Sequence, residues 1–462
     1  LLGLLKLGDG KWLVRDENSA RQNYSEAIRL GLLRDAEKGG PVWWTSAGQA
    51  LELGKGIEAD PAAAVGWYQK AATAGYLDGM RCFARCNDFG VGTTKNPAEA
   101  MRWYQKLADL GDAQAQLSLA VFYEDGEGVP QNYSEAARWY RRAAEQGNPD
   151  AQASLAQLYL NGDGVSEDAK EAVKWFQLAA DQGSFAGQTG LGQCYADGHG
   201  VTANASKAVI WFRLAADQGF AVAQDELGSC FTRGAGVERD PAEAVKWYQI
   251  AADKGFSRSQ VHLGLCYAAG YGGLDKDSKA AARWYRKAAD LGDPSGQYLL
   301  GGCYSDGDGV DSDPVEAVKW YRKAADQGYA KAQNRLGVCY YQGLGVAKNA
   351  TEAVKFSRLA ADQGDEQAQN SLGYFYENGV GVMADQSQAY QWYSKAAEQG
   401  NAVAQCSLGA CYYDGRGIGK DVKKAIEWFS KSADQGNESA KKNLQYALEH
   451  LKRSPSADPF AK

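Results

Sequence analysis

The sequence predicts an all-α solenoid, a stack of antiparallel helix pairs that repeat along the chain. Two observations predict it: an aromatic residue recurs at constant spacing, and each interval contains two helical patterns separated by a glycine-rich turn. The step is 36 residues except between Trp247 and Trp284, where it is 37, which gives about eleven units in register. The recurring aromatic residues are Trp67, Trp103, Trp139, Trp175, Trp211, Trp247, Trp284, Trp320, Phe356, Trp392 and Trp428.

One unit, AQASLAQLYLNGDGVSEDAKEAVKWFQLAADQG at 151–183, shows the pattern in detail. Apolar and small residues in each half follow the spacing of a single helix face, so each half is predicted to be an amphipathic helix. The glycines of GDGV can adopt positive φ and close a tight turn between the helices. Several second helices open with a capping residue and proline, as at Asp60 and Pro61. They end near DQG or EQG, where Gly147 and Gly183 are predicted C-cap glycines.

Four segments are predicted along the chain. A single helix pair cannot bury its apolar face alone, so neighbouring pairs must share a continuous core and the end pairs need caps. The segments are a degraded N-terminal repeat or cap at 1–42, the repeat solenoid at 43–436, a C-terminal capping helix at 437–453 and a disordered tail at 454–462. The polar sequence SAKKNLQYALEHLKR suits the capping helix, because it would cover the last seam.

Two recurring patterns, AQ..LG..Y..G.GV and A..WY.KAA.QG, cover roughly 43–436. They resemble the Sel1-like repeat, a relative of the tetratricopeptide repeat. The resemblance implies a right-handed superhelix of antiparallel helix pairs, and adaptor or scaffold duty in protein complexes. Family members include bacterial host-interaction and signalling proteins and an adaptor of endoplasmic-reticulum degradation. Because such a family shares a fold more than a ligand, the resemblance implies no particular partner.

Charge and hydropathy exclude two classes of partner. Lysine and arginine are mixed with acidic residues along the whole chain, and the formal net charge is −7. Nucleic acid and anionic membrane surfaces select clustered cations, so neither is a predicted partner. No apolar run approaches the roughly 18 residues of a membrane helix. The opening LLGLLKLGDG is interrupted by Lys6 and Gly8, which makes it a poor signal-peptide core. We therefore expect no membrane insertion.

Seven of the nine cysteines occupy one repeat position, at which other units carry Phe122, Leu158 or Phe375. A position that accepts cysteine, phenylalanine or leucine is an apolar packing position. Successive units lie roughly 10 Å apart, which is too far for a disulfide, because that bond needs Cα atoms within about 7 Å. The cysteines are therefore predicted to be reduced core residues. Unpaired cysteines favour the cytoplasm, with the endoplasmic-reticulum lumen or the periplasm as alternatives.

No catalytic residue, cofactor or metal site is predicted, and we do not expect an enzyme. His199, His262 and His450 lie far apart in the stack and cannot share one metal ion. The GxG pairs recur in every unit and are therefore turns, whereas a phosphate-binding loop would occur once. Ser439 and Lys442 form a Ser-x-x-Lys motif, but no Ser-Asp-Asn or Lys-Thr-Gly motif accompanies it. The acidic loop at 306–313 is read as turn and capping residues, with calcium ligation as the alternative.

A glutamine recurs at one position of the first helix in nine successive units. Side-chain amides at this position can hydrogen-bond the backbone or the next unit, which predicts a shared structural duty. A ligand clamp is the alternative. The glutamines are Gln116, Gln152, Gln188, Gln224, Gln260, Gln297, Gln333, Gln369 and Gln405.

The first helices are expected to line a concave surface, as in related solenoids. Positions nine, five and two residues before the turn glycine fall on one face of each first helix. In the C-terminal half this face carries tyrosines with charged residues beside them, and tyrosine and arginine are typical interface anchors. The alternative is that these tyrosines pack on adjacent helices. The candidate binding residues are Tyr298, Arg335, Tyr341, Tyr374, Glu377 and Tyr413.

Two functions are compatible with these features. The predicted function is a protein–protein interaction scaffold or adaptor that binds a protein or peptide partner on the concave face. The alternative is a structural subunit fixed within a large multiprotein assembly through its edges and convex surface. A mainly hydrophilic groove with accessible tyrosines would favour the scaffold, and fixed contacts along the length would favour the subunit.

Overall fold

The structure is a computed structural model that describes residues 31, 34, 36–55 and 57–453. This part of the chain contains twenty-three α-helices with bounds given below, and it contains no β-strand. Every helix has 13 residues except the last, which has 16. The predicted all-α repeat fold is confirmed.

The helices alternate between the first and the second helix of each pair. The first helices are α1 (Pro41–Leu53), α3 (Leu77–Phe89), α5 (Ala113–Asp125), α7 (Pro149–Asn161), α9 (Phe185–Asp197), α11 (Ala221–Arg233), α13 (Ser257–Ala269), α15 (Pro294–Asp306), α17 (Ala330–Gln342), α19 (Glu366–Asn378), α21 (Ala402–Asp414) and α23 (Glu438–Arg453). The second helices are α2 (Pro61–Thr73), α4 (Pro97–Asp109), α6 (Tyr133–Glu145), α8 (Ala169–Asp181), α10 (Ala205–Asp217), α12 (Pro241–Asp253), α14 (Ser278–Asp290), α16 (Pro314–Asp326), α18 (Ala350–Asp362), α20 (Gln386–Glu398) and α22 (Val422–Asp434).

The described residues group into two compact units. The first comprises those up to Ala223 together with Ala235–Val237, and the second comprises Gln224–Gly234 together with those from Glu238 on. Within each unit a helix packs mainly against the helices before and after it in the chain. The helix α23 falls in the segment predicted as a C-terminal cap. The boundaries of the four predicted segments stay predictions, and the tail at 454–462 and most of 1–42 lie outside the described residues.

Local capping explains where the helices begin and end. Before α4, the side-chain oxygen of Asn96 accepts a hydrogen bond from the backbone N–H of Glu99 at 3.2 Å, and proline occupies the first helical position. First helices end at a left-handed glycine such as Gly126, with φ of 73°. The predicted cap Gly147 has φ of 90°, but it follows the C-cap residue Gln146 and therefore lies one position beyond it.

The second glycine of the GxG turn is required by a close approach between repeats. Gly200 has φ of 72°, and a Cβ atom at this position would lie 2.1 Å from the carbonyl oxygen of Ala169. Ala169 is the first residue of α8, which belongs to the preceding repeat. Each turn therefore packs directly on a helix start of its neighbour, which leaves no space for a side chain.

A first-helix glycine and a second-helix aromatic ring form the seam inside a repeat. A Cβ atom at Gly301 of α15 would lie 2.7 Å from the ring of Tyr321 on α16, which is fully buried. The periodic aromatic residue of the same helix, Trp320, is also buried, and the Lys323 ammonium lies 3.8 Å from its ring centroid. The absent side chain thus lets the helix backbone lie directly on the ring.

The recurring glutamines have the structural duty predicted for them. The buried Gln152 donates a hydrogen bond from Nε2 to the Ala144 carbonyl at 3.1 Å and accepts one at Oε1 from Gln182 at 2.8 Å. It thereby joins α6, α7 and the end of α8. Because both ends of the amide are already hydrogen-bonded, the arrangement supports structure rather than a ligand clamp. The same two bonds are made by Gln116, Gln297, Gln333, Gln369 and Gln405.

Gln260 does not make the second of these bonds. Gln260 donates to the Ala252 carbonyl at 3.2 Å, but its Oε1 is buried without a hydrogen-bond partner. The residue that would supply the donor is the C-cap residue of α14, which is Leu291 rather than glutamine. Leu291 is largely exposed, so its side chain contributes little to the core.

Restoring this donor is expected to stabilise the fold. In Leu291→Gln, the new amide can donate to Gln260 Oε1, and we expect a gain of about 1 kcal/mol, the usual net value of one hydrogen bond. The measurement is urea unfolding, in which the midpoint should rise at constant m-value. Leu110→Gln is the matched control. In that repeat the position of the recurring glutamine carries Met80, so a new amide at position 110 has no glutamine oxygen to pair with. An equal gain in both variants would contradict the explanation.

The cysteines are placed as packing residues. All nine are free, and the seven that share the repeat position are buried. Burial raises the pKa of the Cys86, Cys194 and Cys266 thiols to about 11. Because the thiolate is the reactive form, these thiols are protonated and inert at neutral pH.

Thiol titration tests this assignment. We expect slow reaction of the native protein with a thiol reagent and nine reactive thiols after unfolding without reductant. Recovery of several disulfides from the purified protein would show instead that the chain matures in an oxidising compartment.

Candidate functional site

The first helices of each unit form one surface, which we call the first-helix face. Successive first helices contact each other directly, as α7 and α9 do in the first unit and α13 and α15 do in the second. No pair of successive second helices in the described part of the chain makes comparable contact. In these pairs the first helices lie closer together than successive second helices do.

A cavity of about 470 Å³ opens on the first-helix face of the second unit, between α15, α17 and α19. Lys331 and Arg335 contribute positive charge from α17, and Asp365 and Glu366 contribute negative charge from the start of α19. The predicted residue Tyr298 forms another part of the wall. The cavity is therefore polar, with charges of both signs on facing elements.

Two of the predicted residues form an exposed aromatic pair on α17 and α19, which are two of the helices that line this cavity. Tyr341 and Tyr374 are 36% and 41% exposed. The Tyr341 hydroxyl donates to the Tyr374 hydroxyl at 3.1 Å, and the rings meet edge to face with centroids 6.0 Å apart. The ring centroid of the buried Phe375 lies 5.3 Å from that of Tyr341, so Phe375 packs against the pair on its buried side. The pair is therefore pre-ordered while remaining accessible.

The other predicted residues divide between the surface and internal contacts. Arg335 is exposed, whereas Tyr298 is half-buried and packs on Tyr329 with ring centroids 5.7 Å apart. Tyr413 packs on α23, with its ring 5.8 Å from that of Tyr446. Tyr413 thus packs on an adjacent helix, whereas Tyr298 both packs on Tyr329 and lines the cavity.

Glu377 has internal partners rather than a free carboxylate. It accepts a hydrogen bond from the Tyr393 hydroxyl at 2.7 Å and forms an ion pair with Arg416. The carboxylate joins its own repeat to the turn that follows α21. Glu377 therefore holds the edge of the first-helix face in place.

Two asparagines on the same face are not among the predicted binding residues. Asn334 and Asn370 occupy one repeat position on α17 and α19, and the Oδ1 atom of each is buried without a hydrogen-bond partner. Asn334 is only 8% exposed and lines the cavity. The signal that could have identified them is the pair of amides at successive copies of one position, where unit 1 carries Leu117 and Ala153.

A buried ionic cluster in α11 and α13 is also absent from the sequence prediction. The fully buried Asp225 accepts hydrogen bonds from Ser259 at 2.5 Å and from Arg258 at 2.5 Å, and its Oδ1 lies 2.9 Å from His262 Nδ1. Burial alone would raise the pKa of the Asp225 carboxyl, but His262, Arg258 and Ser259 together hold this pKa below its usual value.

This cluster has the residue types of a catalytic triad but not its geometry. The serine hydroxyl donates to the aspartate instead of to the histidine, so the histidine is not placed to take the serine proton as it does in the triad. Arg258 also bonds Glu226 at 2.5 Å, which completes a network between neighbouring first helices. The arrangement is therefore an ion-pair link within the second unit.

Among the described residues, no group of three or more histidine, cysteine, aspartate or glutamate side chains is arranged to hold a metal ion. No described helix is both long and apolar enough to cross a membrane.

Uniform helix pairs that present a variable surface of polar and aromatic side chains define a repeat protein of the α-solenoid class. The Sel1 repeat model matches twelve segments of the chain, and the chain therefore belongs to the Sel1 repeat family. This fold generally mediates protein–protein interaction, and the family is typically non-catalytic. The matched residues are 1–32, 46–76, 82–112, 113–148, 149–184, 186–220, 221–256, 257–293, 294–329, 330–365, 366–401 and 402–437.

A solved structure supports the same assignment. The chain is 34% identical to a protective antigen present in uropathogenic Escherichia coli strains that displays an SLR fold, with 92% of this chain and 91% of that chain covered and a TM-score of 0.60. It is 31% identical to a Sel1 repeat protein from Oxalobacter formigenes, with 71% and 92% covered and a TM-score of 0.48. A search of curated proteins gives no significant match.

The Asp225 cluster predicts a specific pH dependence. Because the folded-state pKa of Asp225 is depressed, its contribution to stability is present above the unfolded value near 3.8 and is lost as the pH falls through the folded value. Asp225→Asn should cost about 3–5 kcal/mol at pH 7, the usual effect of removing one partner from a buried ion pair. The variant should also lose less stability than the native protein between pH 5 and strongly acidic conditions.

Chemical unfolding over a pH series measures both effects. Asp253→Asn on α12 is the control, because that carboxylate is exposed. Parallel stability curves for Asp225→Asn and the native chain would show that the cluster does not carry the pH dependence.

Proposed function

We propose that the chain is a protein-binding scaffold that holds a protein or peptide partner on the first-helix face of its second unit. The observation that carries this proposal is the exposed, hydrogen-bonded pair of Tyr341 and Tyr374. Tyrosine offers a large rigid contact area with a polar tip, and such residues dominate interface energetics. Tyr298 and Arg335 at the cavity on the same face are the further contacts that we assign to the partner.

The two remaining candidates act indirectly in this proposal. Glu377 holds the turn that carries Arg416 through their ion pair. Tyr413 holds α21 against α23 through the contact of its ring with that of Tyr446. Both therefore shape the ends of the binding face. The mixed charges at the cavity supply electrostatic selectivity, which sets partner choice more than affinity.

A structural subunit is the second candidate, and a different surface favours it. In the first unit, Leu178, Ile210 and Leu214 on the second helices are 48%, 59% and 44% exposed. Leu178 and Leu214 share a repeat position at which other repeats carry Lys287 and Lys323. A surface that accepts lysine elsewhere does not need leucine for the fold, so these apolar residues suit a permanent partner.

The double variant Tyr341→Ala and Tyr374→Ala tests the scaffold proposal. Both side chains are more than one-third exposed, so helicity and melting temperature should change little. Affinity for a partner that is identified by purification with mass spectrometry should fall by at least about tenfold, which corresponds to 1.4 kcal/mol. Isothermal calorimetry with the purified partner provides the measurement.

The matched control is Leu178→Lys with Leu214→Lys, which places the residue of other repeats on the second helices. Under the scaffold proposal this variant binds like the native protein. The reverse result, with binding lost in the lysine variant and kept in the tyrosine variant, would favour the structural subunit.

A further inference from the structure

Another cavity lies in the first unit, in the cleft between the first helices α3 and α5, and its volume is about 320 Å³. The apolar residues Phe89, Leu117, Val121 and Phe122 line it, together with four charged side chains. Phe89 is 69% exposed and Val121 is 41% exposed, so the apolar surface of the cleft is open to solvent. None of these residues belongs to the partner site proposed for the second unit.

The fold does not require large apolar side chains at this cleft. Phe89 precedes the turn glycine of its repeat, and from α5 to α21 the residue at this position is charged, polar or alanine. Val121 lies five residues before its turn glycine, where the next two repeats carry Gln157 and Gln193. An apolar patch that is open to solvent and that the stack does not need is typical of an interaction site. The residues that replace phenylalanine in the later repeats are Asp125, Asn161, Asp197, Arg233, Ala269, Asp306, Gln342, Asn378 and Asp414.

The charged side chains of the cleft leave an excess of negative charge. Asp88, Asp125 and Glu127 contribute three carboxylates, and Lys95 is the one cation among the described residues that line the cleft. The Lys95 ammonium lies 2.5 Å from the Glu127 carboxylate, so these two charges offset each other. The carboxylates of Asp88 and Asp125 therefore set the sign of the charge that a ligand meets.

Asp88 shows the shortage of positive charge most directly. The Tyr104 hydroxyl donates a hydrogen bond to it at 3.2 Å, yet burial, with a smaller contribution from Glu127, holds the pKa of the Asp88 carboxyl above its usual value. The arginines of the same helix, Arg81 and Arg85, form ion pairs with carboxylates outside the cleft. A cation that enters the cleft would therefore interact favourably with Asp88.

We propose that this cleft, which we call the acidic cleft, binds a basic peptide segment of a second partner, in which a large apolar side chain lies next to an arginine or a lysine. The apolar side chain packs on Leu117 and Val121 and covers Phe89, while the cation pairs with Asp88 and Asp125. This inference goes beyond the proposed function, because it assigns a further site of different chemistry to the first unit.

Size and exposure favour a peptide over other ligands. A volume of about 320 Å³ lies at the lower end of the roughly 300–1,000 Å³ of ligand clefts, which suits one large side chain. Leu53 occupies the position of Phe89 in α1, which contacts α3, and it is 59% exposed. A ligand confined to the cavity would leave this neighbouring apolar surface uncovered, whereas a longer segment can cover it. Nucleic acid and anionic membranes would be repelled by the carboxylates.

Peptide selection tests the site and its chemistry together. Random peptides of about twelve residues, which reach roughly 40 Å when extended, are selected by display against the full chain. The pool is then depleted on Phe89→Asp, which carries the residue of α5 and α9 at this position. Because this variant is more acidic, the depletion also removes peptides that are attracted by net charge alone.

We expect the retained peptides to be enriched in arginine or lysine next to leucine, isoleucine or phenylalanine. Retained peptides that are acidic or uncharged would overturn the inference, and so would a failure to retain any peptide.

The apolar contact is tested by fluorescence polarisation with the retained peptides. Val121→Gln should weaken binding by at least about tenfold, because it places a polar group in the cleft. Its melting temperature should not change, since Gln157 and Gln193 occupy the same repeat position. Leu265→Gln is the matched control, because Leu265 is exposed at this position in the second unit. Equal losses of affinity in the two variants would contradict the assignment to the acidic cleft.

The ionic contact is tested with the double variant Asp88→Asn and Asp125→Asn. Its affinity for the peptides should fall by about tenfold at low salt, and its difference from the native chain should shrink at high salt, because counterions screen the same interaction. The amide oxygen at position 88 can still accept the hydrogen bond of Tyr104, so the fold is kept. Asp181→Asn with Asp197→Asn is the control, which removes equal charge from exposed positions outside the cleft. An equal loss in the control would show general electrostatic attraction and would refute the proposed pairing.

The same peptides separate this inference from the scaffold proposal. The double variant Tyr341→Ala and Tyr374→Ala changes the second unit alone, so it should bind the retained peptides like the native chain. Loss of these peptides in the tyrosine variant would show that both sets of residues serve one site, and it would overturn the inference of a second partner.

Discussion

The rest of the structure depends on one polar link, the buried glutamine that joins three helices. Where the link is complete, the amide donates to the last turn of the preceding helix and accepts from the glutamine that caps the next second helix, as Gln369 does with Ala361 and Gln399. Hydrogen bonds are directional, whereas contacts between alanine and aromatic residues tolerate sliding. The link therefore fixes how far each repeat is displaced from the previous one, and the apolar seam supplies the stabilisation around it.

The fixed position of the glutamine also determines where the residue that follows it lies on the first-helix face. The residue after it changes from repeat to repeat, from Leu117 through Ala153 to Asn334, while the glutamine before each is held by the same two bonds. The chain can thus place an apolar side chain, a buried ion pair or an unpaired amide at equivalent sites without disturbing the stack. On these first helices the constant glutamine is thus followed directly by a residue whose chemistry varies.

Much of the fold could be predicted because its determinants are local. The tryptophan period, the GxG turns and the capping residues such as Asn96 each depend on short spacings that the sequence displays directly. The position of Tyr341 on the variable face of a first helix follows from helix spacing in the same way, whereas the sequence alone leaves open whether its side chain is accessible or packs on an adjacent helix. The partners of Glu377 could not be predicted, because Arg416 lies 39 residues away in the turn of the next repeat. The Asp225 cluster could not be predicted for the same reason, because its residues become neighbours only after the repeats stack.

The equal length of the helices has a consequence for the gene. Because each of the helices from α1 to α22 has 13 residues and several repeats are joined through the same glutamine link, a repeat is an exchangeable part. Unequal recombination between repeated DNA segments would remove or add whole repeats and leave the remaining ones in phase. Such events would shorten or lengthen the first-helix face by whole repeats. The length of this surface can therefore differ between related proteins that keep the same fold.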